Sequence, residues 1–251
     1  MRHVLALSKR EIISYFLSPV GYIVGFLFIG LYTLFFYLSF ISIDDANQVL
    51  ISGIANVGII GIFAVPFLTM GLLADERKTG TIEMLMTAPV ADWEVVAGKY
   101  LGAVTYLLCL LAPSFLQVIA VRTYGYPEWG PVVSSYLGVV LLLMMLLALG
   151  LFFSAISKDL LIAVMLSFFA GLLLLILGAF VPDSRPAIQA GGVFANLLHY
   201  LFAFLRYASL GDHYENFYQG LINTRDIVYF ASGTAFFLFL STLAVESRKW
   251  K

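Results

Sequence analysis

Charge is what this sequence has least of. Only 12% of its 251 residues are Asp, Glu, Lys or Arg, whereas 61% are apolar, and the mean hydropathy is +0.96. A soluble domain usually carries about 25% charged residues. With half that share, the chain has too little polar surface to cover a water-soluble globule, so we expect it to lie in a bilayer. The formal net charge of −1 and the lack of a basic patch give no indication of a nucleic-acid partner.

The sequence also lacks the motifs of several enzyme classes. It has no GxxxxGK[ST] phosphate loop, because its one Gly-Lys pair, Gly98-Lys99, is followed by Tyr100. No HExxH or GxSxG motif occurs. Cys109 is the single cysteine, which excludes an intrachain disulfide, and its place in an apolar run predicts a buried side chain. We therefore expect no catalytic residue, no metal site and no cofactor on this chain.

The sequence instead contains several long apolar runs. A helix needs about 20 apolar residues to cross a bilayer. The runs predict six spans, at residues 20–41, 53–73, 97–121, 133–156, 160–181 and 227–245. Pro66 and Pro113 fall inside the second and third spans and should kink them. The sequence thus predicts an all-α integral membrane bundle with six transmembrane helices.

Residues 187–205 are uncharged and long enough to cross, but they include Gln189, Asn196 and His199. A seventh span would move the C-terminal end of the sequence to the opposite side. With six spans and the N-terminus inside, ten of the 14 basic residues are cytoplasmic and four are outside, which fits the positive-inside rule. We therefore predict cytoplasmic termini, and outer or re-entrant helices over 183–224 that do not cross.

Residues 2–16 mix charged and apolar residues at helical spacing. Leu5, Ile12 and Phe16 can share one face, and Arg2 and Lys9 can share another. We interpret residues 1–18 as an interfacial helix on the cytoplasmic surface. The alternative is that this stretch extends the first span.

A charged stretch, residues 75–92, separates the second span from the third. It opens with a mixed-charge cluster of Asp75, Glu76, Arg77 and Lys78. Thr79 or Thr81 can cap a short helix that Pro89 ends, and Asp92 is predicted to cap the next helix. A helix of about two turns is marginal alone. We therefore expect it to pack on the membrane surface, on its own bundle or on another protein.

Two stretches resemble a known family. The first, ERKTGTIEMLMTAPVADWEVVAGKYLGA (76–103), closely resembles the cytoplasmic signature of type-2 ABC exporter permeases. The residues that match it are Glu76, Arg77, Gly80, Thr81, Glu83, Leu85, Pro89, Gly98 and Lys99. The second, residues 209–232, resembles the subgroup that contains the gliding-motility-associated permease. Its matching residues are Phe217, Gly220, Leu221, Ile222, Thr224, Arg225, Asp226, Tyr229 and Phe230, while Asn223 replaces the usual Asp.

The resemblance implies one permease domain over residues 1–251, in the cytoplasmic (inner) membrane of a bacterium. This half-transporter would pair with an identical or homologous permease chain and with two cytoplasmic ABC ATPases, which bind ATP and Mg. The short helix after the second span would be the coupling helix, seated in the ATPase. The implied ATPase-coupling residues are Glu76, Arg77, Lys78, Gly80, Thr81, Ile82, Glu83, Leu85 and Pro89. Thr224, Arg225 and Asp226 would form an outer family motif.

Two alternative functions are compatible with the sequence. The chain could be a membrane relay through which an ATPase acts on an extracytoplasmic partner without transport. A stand-alone secondary transporter is disfavoured, because such proteins usually place charged residues deep within their spans. We expect the outer charges to be structural and paired, with a role in guiding substrate or binding an accessory protein as the alternative: Arg206, Asp212, Glu215, Arg225 and Asp226.

Overall fold

The computed structural model describes residues 2–78, 91–180 and 193–247, and this part of the chain is helical without a strand. For Arg2, Arg77, Tyr124 and 193–199 it describes the backbone alone. The helices are α1 Arg2–Leu17, α2 Pro19–Ser42, α3 Ala46–Thr69, α4 Ala74–Lys78, α5 Asp92–Leu111, α6 Ser114–Tyr124, α7 Trp129–Ile156, α8 Leu160–Phe180, α9 Val193–Tyr207, α10 Leu210–Tyr218 and α11 Thr224–Glu246.

Six segments of the described chain are long and apolar enough to cross a membrane. They correspond to α2, α3 continued into α4, α5 continued into α6, α7, α8 and α11. Each overlaps one of the six runs predicted from hydropathy. The prediction of an all-helical membrane bundle with six candidate spans is therefore confirmed.

The centre of the bundle is α7, which packs most extensively on α11 and α3 and also contacts α8 and α10. Leu142, Leu143, Leu147 and Leu151 of α7 are fully buried. By contrast, α2, α8 and α11 leave most of their apolar surface exposed, as helices that face lipid do. The α10 helix is tied to α3 because the Tyr214 hydroxyl donates to the Ala55 carbonyl at 3.1 Å. Burial raises the pKa of that phenol, so it stays a donor.

Small residues allow α3 and α7 to cross closely. A Cβ atom built on Gly150 of α7 would lie 2.2 Å from Thr69 Oγ1 and 2.8 Å from Thr69 Cβ. Thr69 is fully buried at the end of α3, so it has no room to move. This packing of small residues is the usual way in which membrane helices bring their backbones together.

Replacing Gly150 by valine is expected to lower the free energy of unfolding by about 2 kcal/mol, because α3 and α7 must separate. Gly30→Val is the matched control, since a Cβ on Gly30 of α2 meets nothing within 4 Å. Thermal unfolding of the purified chain in detergent measures both variants. Equal losses in the two variants would contradict the close crossing.

Several helix boundaries follow from single residues. Ser18 is extended, and its hydroxyl accepts from Val20 N at 3.3 Å, so α1 is a helix of its own rather than a continuation of α2. Pro113, which was expected to kink the third span, lies between α5 and α6, and Pro66 lies inside the last turn of α3. Whether α1 lies on the membrane surface stays a prediction.

Two local predictions are wrong. Cys109 is exposed, on the same side of α5 as the exposed Leu101 and Leu108. An apolar run cannot reveal burial in a membrane helix, because lipid-facing residues are as apolar as core residues. Asp92 is the first helical residue, not the cap; the extended Ala91 is the N-cap, and its N–H lies 3.4 Å from Glu94 Oε2.

The segment between the fifth and sixth spans contains α9, of 15 residues, and α10, of nine. Both are shorter than the roughly 20 residues that a crossing requires. That the helices of this segment do not cross the membrane stays a prediction. Residues 181–192 lie outside the described residues.

Candidate functional site

The predicted ATPase-coupling segment is described only at its start. Glu76 and Lys78 lie in α4, and Arg77 is described there by its backbone alone. The remaining predicted residues lie outside the described ranges: Gly80, Thr81, Ile82, Glu83, Leu85 and Pro89. The coupling helix itself therefore stays a prediction, and the described part of the site consists of the residues that anchor α4.

Four charged side chains from three helices meet beside α4, and we call them the root cluster: Arg10, Glu11, Glu76 and Lys99. Lys99 Nζ lies 2.9 Å from Glu11 Oε1 and 2.9 Å from Glu76 Oε1. Arg10 Nη2 donates to Glu76 Oε1 at 3.1 Å. The Lys99 side chain is only 3% exposed, whereas that of Arg10 is 59% exposed. The root cluster thus joins α1, α4 and α5 through one buried ammonium group.

The close packing of α1 on α5 brings the root cluster together. Gly98 and Gly102 lie four residues apart on one face of α5. A Cβ on Gly98 would lie 3.2 Å from the Val4 carbonyl oxygen, and one on Gly102 would lie 3.1 Å from the Ser8 carbonyl oxygen. Only glycine permits this approach, which is the small-xxx-small pattern of membrane helix pairs. Lys99, next to Gly98, is thereby brought to Glu11.

Electrostatics explains why the cluster contains two carboxylates and two cations. An ammonium group out of water is costly unless it is paired and hydrogen-bonded. Lys99 has two carboxylates within hydrogen-bonding distance, and Arg10 supplies the second positive charge from the exposed side. Formal charge balances among these four side chains, so removing any one member disturbs that balance.

A second anchor fixes the turn that leads from α3 into α4. The Ser154 hydroxyl of α7 donates to the Met70 carbonyl at 2.9 Å. The same oxygen accepts from Leu73 N and Ala74 N, each at 3.1 Å. Ser154 is fully buried, and it satisfies backbone groups that the end of a helix leaves open. As a result, α4 is held to α7 as well as to α1 and α5.

At the opposite end of the bundle, Asp226 of the predicted outer motif is the centre of a second polar network. Its Oδ1 lies 2.6 Å from His213 Nδ1, and its Oδ2 accepts from Asn216 Nδ2 at 2.8 Å. The second ring nitrogen of His213, Nε2, lies 3.0 Å from the Tyr207 carbonyl oxygen. Both ring nitrogens are thus occupied, so His213 has no free nitrogen for general-base catalysis or metal ligation. We call Tyr207, His213, Asn216 and Asp226 the outer cluster.

Four of the five outer charges have a polar or charged partner in the structure, and the fifth, Arg225, lies against an aromatic ring. Arg206 Nε donates to Asp212 Oδ2 at 3.3 Å, and Glu215 accepts from the Gln219 side chain at 3.0 Å. Arg225 lies over the Tyr207 ring, with Cζ 4.8 Å from the ring centroid. Thr224 begins α11 beside them. Within the described ranges, no group of three His, Cys, Asp or Glu side chains is arranged to hold a metal.

Comparison with known families decides the class of protein. Residues 5–246 match the family model described as ABC-2 family transporter protein, which is nearly the whole chain. The chain belongs to the ABC-2 transporter family. No curated protein matches it significantly. It is therefore a multi-pass ABC permease subunit rather than a catalytic ATPase, and such permeases associate with an ABC ATPase and usually with a second permease.

Sequence reasoning found some residues of this ABC-2 permease and missed their partners. Glu76 and Lys99 were found as motif positions, but their contact with each other and with Glu11 was not foreseen. The glycine pair four residues apart in α5 was a usable signal for close helix packing. For His213 and Ser154 the sequence offered no comparable signal.

Proposed function

We propose that this chain is the membrane-spanning subunit of an exporter-type ABC transporter, and that it couples ATP hydrolysis on a separate cytoplasmic ATPase to substrate translocation. Family membership supports the general class. The observation that carries the coupling role is the root cluster: Glu76, a residue of the family signature, contacts Lys99 of α5 at the start of the 75–92 segment. A force applied to that segment therefore reaches the third span directly.

The route of such a force follows from the two anchors. ATP-driven dimerisation of the ATPases would displace the coupling segment and, with it, α4. Lys99 and Glu11 link α4 to α5 and α1, and Ser154 links the preceding turn to α7. Movements of packed helices as rigid bodies are a common form of switching in proteins. Alternating access between two permease chains would result.

The remaining partners and the location are part of the same proposal. The second permease is identical or homologous, ATP and Mg are bound by the ATPase pair, and the subunit lies in the inner membrane of a bacterium with both termini cytoplasmic. The motif over 209–232 supports assignment to the subgroup that contains the gliding-motility-associated permease.

A relay that moves an extracytoplasmic partner without transport is the second candidate. The observation that favours it is the set of exposed charges beside the outer cluster, Arg206, Asp212 and Arg225, which give a partner charged groups to contact at the end opposite α4. The relay shares the ATPase coupling but requires no substrate pathway. Transport assays in reconstituted vesicles separate the two, because ATP-dependent movement of any substrate class supports only the first.

The coupling segment is tested by the double variant Gly80→Pro, Glu83→Ala. We expect ATPase activity of the reconstituted complex to fall to that of the ATPase alone, while membrane insertion of the permease is unchanged. The matched control is Gly130→Pro, Glu128→Ala at the other end of the bundle, where a Cβ on Gly130 meets nothing within 4 Å. Full stimulation of the ATPase by the Gly80, Glu83 variant would contradict docking through residues 75–92.

A further inference from the structure

A polar cavity of about 540 Å³ lies where α9, α10 and α11 meet. Its charged lining consists of two arginines, two aspartates and a histidine: Arg206, Asp212, His213, Arg225 and Asp226. Neither the permease role nor the proposed docking of an ATPase uses this cavity. The kind of ligand that fits this cavity can be inferred from which of these charged side chains already have partners in the protein.

Both aspartates are engaged by the protein itself. The two oxygens of Asp226 are contacted by His213 and Asn216, at 2.6 and 2.8 Å. Asp212 accepts from Arg206 Nε at 3.3 Å. In the part of the chain that the structure describes, Arg225 has no carboxylate within ion-pair distance; its partner is the Tyr207 ring. Of the two arginines that line the cavity, Arg225 is therefore the one without a carboxylate partner among the described residues.

The geometry of Arg225 leaves its donors available. A guanidinium group stacked on an aromatic ring uses its flat face, whereas its five N–H bonds point outward in the plane. Arg225 Cζ lies 4.8 Å from the Tyr207 ring centroid, and its N–H groups make no hydrogen bond to another side chain that the structure describes. Arg206 also lines the cavity and uses only Nε for Asp212. Two planar donors at one cavity match the oxygens of a phosphate group, which arginine binds through paired hydrogen bonds.

An exposed apolar face of α9 lies next to the residues that line the cavity. On α9, Tyr200 is 71% exposed and Phe204 is 67% exposed, and they lie on the same face as Tyr207. Ala203 and Arg206 of the same helix line the cavity. A ligand that fills this place would therefore meet donors at one end and an apolar helix surface at the other. Basic pockets between membrane helices are known to bind lipid head groups.

We propose that this cavity binds a phosphate group, with Arg225 and Arg206 as the residues that contact it. The exposed apolar face of α9 next to the cavity favours the phosphate of a phospholipid head group over free phosphate. Binding orders α9 against α11, because the two arginines belong to these two helices. The proposal does not depend on ATPase docking, so either can fail alone.

The test uses the full chain, purified and delipidated in an uncharged detergent, with native mass spectrometry and thermal unfolding as readouts. The three probes are phosphatidylglycerol, diacylglycerol and inorganic phosphate. We expect phosphatidylglycerol to bind and to raise the unfolding temperature, and Arg225→Gln to weaken its binding by about tenfold or more, as loss of a charged hydrogen bond does. Arg206→Gln is expected to act in the same direction.

The matched control is Arg122→Gln. Arg122 also lies over an aromatic ring, with Cζ 5.6 Å from the Trp129 centroid, but it does not line this cavity. Binding of phosphatidylglycerol that is unchanged in both Arg225→Gln and Arg206→Gln, or equal binding of diacylglycerol, would overturn the proposal. Binding of inorganic phosphate that Arg225→Gln abolishes would support the phosphate site and identify free phosphate as its source.

Discussion

Lys99→Met is expected to lower the free energy of unfolding by about 3 kcal/mol, the largest loss for any single member of the root cluster. Its ammonium group, 3% exposed, lies between Glu11 and Glu76, and its removal takes the shared cation from two largely buried carboxylates. Breaking a buried ion pair by deleting one partner costs about 3–5 kcal/mol, because the remaining charge is uncompensated. Thermal or denaturant unfolding in detergent micelles measures the loss.

Two further variants separate the effect of the lost Lys99 charge from the effect of its lost packing. Lys78→Met changes an exposed lysine of α4 and is expected to have little effect. The triple variant Lys99→Met, Glu11→Gln, Glu76→Gln removes the charge imbalance and is expected to recover most of the lost stability. If the triple variant were as unstable as Lys99→Met alone, the electrostatic explanation of the root cluster would be wrong.

Asp226→Ala is expected to have the next largest effect, a loss of about 2 kcal/mol or slightly more in the free energy of unfolding. The carboxylate is 2% exposed and is contacted by both His213 Nδ1 and Asn216 Nδ2. Removing the acceptor leaves these groups without their partner, and hydrogen bonds to charged groups contribute about 1.5–3 kcal/mol each. Thermal unfolding, with hydrogen exchange of α10 and α11, measures the change.

The comparison for Asp226 is Asp212→Ala at the same end of the bundle. Asp212 is 42% exposed and makes one ion pair, at 3.3 Å, with Arg206. An exposed ion pair contributes about 0–1 kcal/mol, so its loss is expected to be small. Similar losses for the two aspartates would contradict the central place of Asp226 in the outer cluster.

The spans were predictable from the sequence because length and apolarity are what a bilayer requires. Which face of each span packs against other helices and which face meets lipid was not predictable. Cys109 shows the reason: in α5 the residues that face lipid are as apolar as those that face α1 or α7, so hydropathy carries no information on which side is buried. The glycines Gly98 and Gly102 mark the packed side better than any apolar residue does, because their lack of a side chain allows α1 to approach.

The sequence identified individual residues of the candidate site but not the contacts between them. Glu76 and Lys99 were identified by resemblance, but Glu11, which completes the root cluster, is 88 residues from Lys99 in the chain. The His213–Asp226 contact likewise joins two helices whose relative position no local pattern determines. Tertiary contacts of this kind depend on how the helices pack, and a sequence read without related sequences does not contain that information.

Co-purification is the measurement that tests the central claim most directly, namely that this ABC-2 permease docks an ATPase through residues 75–92. The full chain is expressed with its neighbouring genes, purified in a mild detergent and examined by mass spectrometry. We predict an ABC ATPase in a one-to-one ratio with permease chains, lost in the Gly80→Pro, Glu83→Ala variant and retained in the Gly130→Pro, Glu128→Ala control. A permease that purifies without an ATPase, and that transports when reconstituted alone, would contradict the account.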